Sequence, residues 1–252
     1  MRYFITLSYD GAAYHGWQVQ PNAVTVQQRL NECLSTLLRK PIETVGAGRT
    51  DAGVNAHCMV AHFDFEGASP EQELDGAQLT FKLNRILPRD IAVQSVERVR
   101  DDAHARFDAK SRTYHYWVYI RKTPFLRHYA TQLHFPVDFD RMNEAAEVLL
   151  HTSDFTSFSK LHTDVKTNIC RVSRARWTTE DGNLWMFEIT ADRFLRNMVR
   201  SVVGTLLDVG RGRLTLEEFK QVIERKDRCA AGESMPGHAL SLVDITYDDL
   251  KP

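Results

Sequence analysis

The sequence predicts an α+β protein made of two halves with the same order of elements: strand, helix, strand, strand, helix, strand. Three observations predict it. Apolar residues alternate with polar ones at 2–9, 57–65, 91–99, 110–120 and 240–247, the period of half-buried strands. At 26–39, 75–86, 140–151 and 195–208 they recur every three or four positions instead, the period of a helix with one buried face. A polar stretch without periodicity at 100–108 separates the two series. This is the split βαβ, ferredoxin-like arrangement (βαββαβ, RRM-like), with domains expected at 1–104 and 105–252. Two such sheets side by side leave a central cleft between them.

In chain order, 2–9 places Tyr3, Ile5, Leu7 and Tyr9 on one side of a strand that ends at Asp10-Gly11. The loop that follows is rich in aromatics, and its Trp17 reads as a packing anchor. Thr25-Val26-Gln27-Gln28 is a capping-box pattern ahead of Val26, Leu30, Cys33, Leu34 and Leu37 at helical spacing. A short strand then enters the glycine-rich loop 46–56, and 57–65 resumes as a strand with Met59, Ala61, Phe63 and Phe65 on one face. Leu79, Leu83 and Ile86 mark the helix at 75–86, which Pro88 stops. In the second half, 110–120 is a strongly β-prone strand and Met142, Ala145, Ala146, Leu149 and Leu150 face inward from the helix at 140–151. A hairpin follows, with strands at 168–178 and 184–191 about Asp181-Gly182-Asn183. Thr215-Leu216-Glu217-Glu218 is a second capping box opening an extra helix before the closing strand at 240–247.

Composition narrows the class. The formal net charge of −1 gives no overall basic signature, so any nucleic-acid surface must come from local clustering. Cys33, Cys58, Cys170 and Cys229 form no C-x-x-C pair and suit reduced thiols. No apolar run approaches 18 residues, so no membrane partner is expected and a cytoplasmic location is. The ten histidines show no H-x-x-x-H or Cys/His set with metal spacing, and no structural or catalytic metal is expected.

The chemistry is expected at Gly46-Ala47-Gly48-Arg49-Thr50-Asp51-Ala52-Gly53-Val54-Asn55-Ala56. Its three glycines free the backbone, and Asp51 is its only carboxylate. The string is neither G-x-G-x-x-G nor a P-loop, because Asp51 stands at the third glycine position and Val54-Asn55 follows Gly53. An isolated Asp in such a loop ordinarily caps its own turn.

The densest basic cluster is Arg193, Arg196, Arg200, Arg211 and Arg213, with Arg196 and Arg200 expected one turn apart on the helix beginning at Leu195. Alone it reads as a solvated face; beside a catalytic carboxylate, an arginine would favour the ionised form that a nucleophile needs. Lys110, Arg112, Arg121, Lys122 and Arg127 bracket Tyr114, His115, Tyr116 and Trp117. One alternate pair of these aromatics should pack in the core and the other is placed to stack on bases.

Gly46-Ala47-Gly48-Arg49-Thr50-Asp51-Ala52-Gly53-Val54 resembles the signature of the tRNA pseudouridine synthase family known as TruA. Tyr9-Asp10-Gly11, Tyr14-x-Gly16-Trp17-Gln18-x-Gln20-Pro21, the strand from Arg106-Phe107 through Tyr116, Asp154-Phe155-Thr156-Ser157-Phe158 and Phe194-Leu195-Arg196-Asn197-Met198-Val199-Arg200 are also similar to that family. The resemblance implies the pseudouridine synthase fold and conversion of uridine to pseudouridine at positions 38, 39 and 40 of the tRNA anticodon arm, by a homodimer without cofactor or metal. It makes Asp51 the catalytic aspartate, Tyr114 the tyrosine that stacks on the target base and Arg200 the partner of the aspartate. Arg49 and Arg196 would contact RNA, and Leu240 would lie beneath the uracil. Asn55 stands where many members have His, and Pro236-Gly237-His238-Ala239-Leu240 departs from the commoner P-x-H-G-L.

Two other classes fit less well. A non-catalytic RNA-binding module of RRM type requires an RNP1 string, and none occurs. An aspartate-nucleophile phosphatase at Asp10 requires a second acid two residues on, where Ala12 stands.

Overall fold

The row of large side chains Tyr3, Ile5 and Leu7 organises the first of two structural units. In the computed structural model, which describes residues 1–67, 73–160 and 167–251, strand β1 (Arg2–Tyr9) lies between β3 (Asn55–Asp64) and β4 (Ile91–Val99), antiparallel to both. Tyr3 pairs with Phe63, Ile5 with Ala61 and Leu7 with Met59, and all six side chains are buried on one face. This is the period-two burial that the alternation in 2–9 dictates. Strand β3 ends at Asp64, so Phe65 leaves the sheet and donates its N–H to the Met1 carbonyl.

Helix α1 (Val26–Leu38) starts at Thr25, whose hydroxyl accepts the Gln28 N–H. The Gln28 side chain reaches forward to Glu32 rather than back, so only half of the expected capping box forms. A two-residue β2 (Val45–Gly46) pairs with β3. Asp75 caps α2 (Gly76–Ile86), which packs on β4 and α1. The unit comprises Met1–Lys110 together with Leu242–Pro252, and so takes in most of β9 (Leu240–Thr246), which lies next to β3.

The second unit, Ser111–Ser241, contains β5 (Ser111–Tyr119), β6 (Thr131–Gln132), α3 (Phe139–Leu150), β7 (Val172–Thr179), β8 (Leu184–Ala191), α4 (Met198–Gly210) and α5 (Leu216–Glu224). Strand β8 runs antiparallel between β5 and β7, with Tyr116, Phe187 and Trp177 in register and buried. Phe139 of α3 stacks on Trp185 and meets Trp177 edge-on. The hairpin turns at Gly182 (φ 68°), and Asp181 accepts the N–H groups of Asn183 and Leu184. Its first strand begins at Val172, four residues later than the alternation suggests. Thr215 and Glu218 complete a reciprocal capping box at α5. The protein is thus a mixed α+β structure whose strand pairing is mostly antiparallel. Among the described residues no helix is long and apolar enough to cross a membrane.

His62 lies on the face of β3 opposite Ala61. It is buried, stacked on Phe4 and edge-on to His104, and its Nδ1 accepts the Ala105 N–H at 3.1 Å. Burial, aided by the positive charges of Arg2 and His104, lowers its pKa to about 4 against the opposing pull of Asp64 and Asp108. The native state therefore favours neutral His62, while the unfolded chain takes up a proton below about pH 6.5. Stability present at neutral pH should be lost as pH falls from about 6.5 towards 4, by up to about 3 kcal/mol from this group. Urea unfolding of wild type and His62→Gln between pH 7 and 4.5 should give a clearly shallower decline in the variant. Parallel declines would assign the acid sensitivity elsewhere.

Candidate active site

The corner Arg49-Thr50-Asp51 belongs to the first unit and is held by the loop that follows β1. As the chain leaves β2, Ala47 N–H still bonds the Val60 carbonyl at 2.8 Å. A turn then closes from the Val54 N–H to the Asp51 carbonyl at 3.1 Å, with Gly53 at φ 74°. Thr50 is buried. Its hydroxyl hydrogen-bonds the Tyr9 hydroxyl at 2.8 Å, and its carbonyl accepts the Trp17 N–H at 3.3 Å. Tyr9 stacks on Trp17, which is only 2% exposed. The Gly53 N–H bonds the Tyr14 carbonyl, and Tyr14 in turn donates its hydroxyl to Asp90 at 2.6 Å. With Thr50 facing inward, Arg49 is exposed and Asp51 half-buried.

Two glycines outside the signature make this fit possible. A Cβ on Gly11 would lie 2.1 Å from the Val54 carbonyl oxygen. One on Gly16 would lie 2.2 Å from that of Thr50, and Gly16 also adopts φ 85°, a conformation that side chains disfavour. Asn55 acts here too: its Oδ1 accepts the Gly11 N–H at 2.8 Å, closing the mouth of the corner. The residue that departs from the common His thus makes a structural hydrogen bond.

The second unit carries the other expected residues. Tyr114 lies on the buried face of β5, edge-on to Phe194 at 5.1 Å. Tyr114 and Tyr116 form the buried pair, whereas His115 and Trp117 stand half-buried on the opposite face. Arg200 Nε donates to the Met235 carbonyl, and Met235 N–H returns a bond to the Arg200 carbonyl at 3.1 Å. The buried Tyr116 hydroxyl reaches the next residue, donating to the Pro236 carbonyl at 3.1 Å and bonding Thr131 at 2.8 Å. Burial raises its pKa above the usual phenol value, while the Thr131 bond and the charge of Arg200 oppose that shift. The departing segment Pro236-Gly237-His238-Ala239-Leu240 is therefore tied down. It forms a short 3-10 turn and delivers Leu240 buried at the start of β9.

One expected arrangement is corrected. Helix α4 begins at Met198, not Leu195, because Asn197 takes a left-handed conformation (φ 66°) that asparagine tolerates, with its amide donating to Ser234 Oγ at 2.6 Å. Arg196 consequently lies ahead of the helix, exposed, and is not one helical turn below Arg200. Nor is the arginine cluster one solvated face. Arg211 sits over the Phe135 ring at 3.7 Å and Arg213 pairs with Asp208. The sequence reading gave no role to Phe194 or to the Tyr9-Thr50 hydrogen bond, although Phe194 and Tyr9 both stand inside the motifs quoted above.

A family model described as tRNA pseudouridine synthase matches residues 145–248. A tRNA pseudouridine synthase A of Bacteroides fragilis is 59% identical over 246 residues, covering 98% of this chain and 96% of the relative. One of Bacillus subtilis is 42% identical over 253 residues, covering 99% of this chain and all of the relative. The chain belongs to the TruA family of tRNA pseudouridine synthases.

As a TruA protein it is an isomerase. Among the described residues of this TruA chain, no group of three or more His, Cys, Asp or Glu side chains is arranged to hold a metal ion. If the two TruA loops are interlocked, Gly16→Ala should lower stability by more than about 1 kcal/mol. Gly48→Ala, whose Cβ would meet nothing within 4 Å, should stay within about 0.5 kcal/mol of wild type. Urea midpoints test this, and equal losses at the two positions would contradict the interlock.

Proposed function

We propose that this chain isomerises uridine to pseudouridine at positions 38, 39 and 40 of the tRNA anticodon stem-loop, with Asp51 as the nucleophile. The observation that carries the reading is 59% identity over nearly the whole chain to a tRNA pseudouridine synthase A, together with the intact Arg49-Thr50-Asp51 corner. The target base must leave its stack, at a cost of a few kcal/mol. Asp51 then attacks covalently, at the uracil ring or at the sugar carbon. After the glycosidic bond breaks, the ring turns so that C5 joins the sugar, the bond to Asp51 is released, C5 loses its proton and N1 takes one up. No cofactor or metal takes part.

Tyr114 stacks on the extruded base and helps to move its proton, and Arg200 holds Asp51 ionised. Arg49, on the exposed side of the corner, helps to place RNA, as does Arg196; Leu240 supports the uracil from below. The enzyme works as a cytoplasmic homodimer, with local arginines compensating for a net charge of −1. We also assign a ferredoxin-like arrangement to each half, divided as 1–104 and 105–252 around a central cleft. Its support is the order β1, α1, β2, β3, α2, β4 in the first unit and β5, α3, β7, β8, α4 in the second.

An unmodified tRNA transcript with uridines at 38 to 40 tests the reaction. Wild type should convert those sites, and Asp51→Ala should bind without converting them; turnover by the variant would remove Asp51 as nucleophile. Tyr114→Phe should slow single-turnover conversion by about 10²-fold or more, the usual size of a positioned proton-transfer contribution, while binding changes little. An unchanged rate would leave Tyr114 a stacking role only.

A further inference from the structure

Residues 111–137 contain Arg112, Arg121, Lys122 and Arg127 and no Asp or Glu, in a chain whose charges otherwise nearly cancel. The middle of this run leaves β5 and returns as β6. Both ends are fixed: Val118 pairs with Thr131 and Tyr119 with Gln132, and the Leu133 N–H bonds the Tyr119 carbonyl. Between them the backbone is ordered by its own bonds. Leu126 N–H reaches the Thr123 carbonyl, and Tyr129 and Ala130 both donate to the Leu126 carbonyl. This compact excursion displays Phe125 at 84% exposure and Tyr129 at 46%, with Arg121, Lys122 and Arg127 exposed around them.

Fold stability does not account for an aromatic ring held this far into solvent. Among the described residues no ion pair engages Arg121, Lys122 or Arg127. Asp181 feels the charge of Arg121, but its carboxylate already accepts two backbone N–H groups from the hairpin turn.

We infer that this β5–β6 excursion is an RNA-contact surface, in which Arg121, Lys122 and Arg127 meet phosphates and Phe125 stacks on an exposed base. The inference rests on the proposed function for the identity of the polymer. Cations interleaved with exposed aromatics fit a partner with an anionic backbone and flat, apolar faces. A second copy of this chain fits less well, because a two-fold contact through the patch would bring its cations against themselves.

The test is binding of the unmodified tRNA transcript across a salt series. It compares wild type with Phe125→Ala and with the triple variant Arg121→Gln, Lys122→Gln, Arg127→Gln. Circular dichroism and urea midpoints confirm that the exposed substitutions leave the fold intact. Loss of one stacked base should raise Kd about 5- to 100-fold in Phe125→Ala. The triple variant should bind more weakly, with a slope of log K against log salt shallower by about 2 to 3. At saturating RNA the single-turnover rate of both should stay within about two-fold of wild type, because none of these side chains is placed at the reacting atoms. Wild-type Kd and slope in both variants would overturn the inference. So would dissociation of an oligomer in either variant, which would assign the patch to a second copy. Failure of the proposed reaction would show separately, as a wild type that binds the transcript and forms no pseudouridine.

Discussion

The constraint on which the Arg49-Thr50-Asp51 corner depends is the close packing of two loops, residues 9–17 and 50–55. Neither loop holds its shape alone. Thr50 is fixed from the far side by Tyr9 and Trp17, and the turn after Asp51 is fixed by Tyr14 and, through Asn55, by Gly11. Removing Cβ at Gly11 and Gly16 brings backbone against backbone, so carbonyl oxygens take the space that side chains would fill. A carboxylate at the tip of a free loop would sample many positions. Here the entropy of ordering it is met once, by folding.

The second unit uses a different device. A backbone segment, residues 234–240, is threaded past polar side chains that each take one of its groups: Asn197 and Arg228 hold Ser234, Arg200 holds Met235 and Tyr116 holds Pro236. Arg200 is thereby positioned by two hydrogen bonds to Met235 before any substrate is present. Tyr116, buried with its hydroxyl satisfied, fixes the segment from the sheet side.

Much of this was legible in the sequence where one force dominates. Strands β1 and β4 begin and end where the alternation does, because each buries one face more fully than the other; the second face is largely exposed in β4 and half-buried, apart from Phe4, in β1. Trp17 was readable as a packing anchor, since few other roles suit so large an apolar surface in a short loop. The start of α4 was not legible. Apolar periodicity runs back through Leu195, and only the Asn197 side chain, bonding Ser234 thirty-seven residues away, decides that the helix begins at Met198. The same holds for Asn55, whose partner Gly11 is forty-four residues distant. Motif identity pointed to Asp51, but the bonds that hold its corner come from non-local pairing.

On the proposed function, the Tyr9-Thr50 bond positions the corner that carries Asp51. A double-mutant cycle on single-turnover pseudouridine formation, with Tyr9→Phe, Thr50→Val and both together, measures it directly, with RNA affinity followed in parallel. Each single variant should slow conversion with affinity nearly unchanged, and the double variant should be little slower than the worse single, because both remove one shared interaction. Rates near wild type in both singles, or losses that simply add, would contradict it.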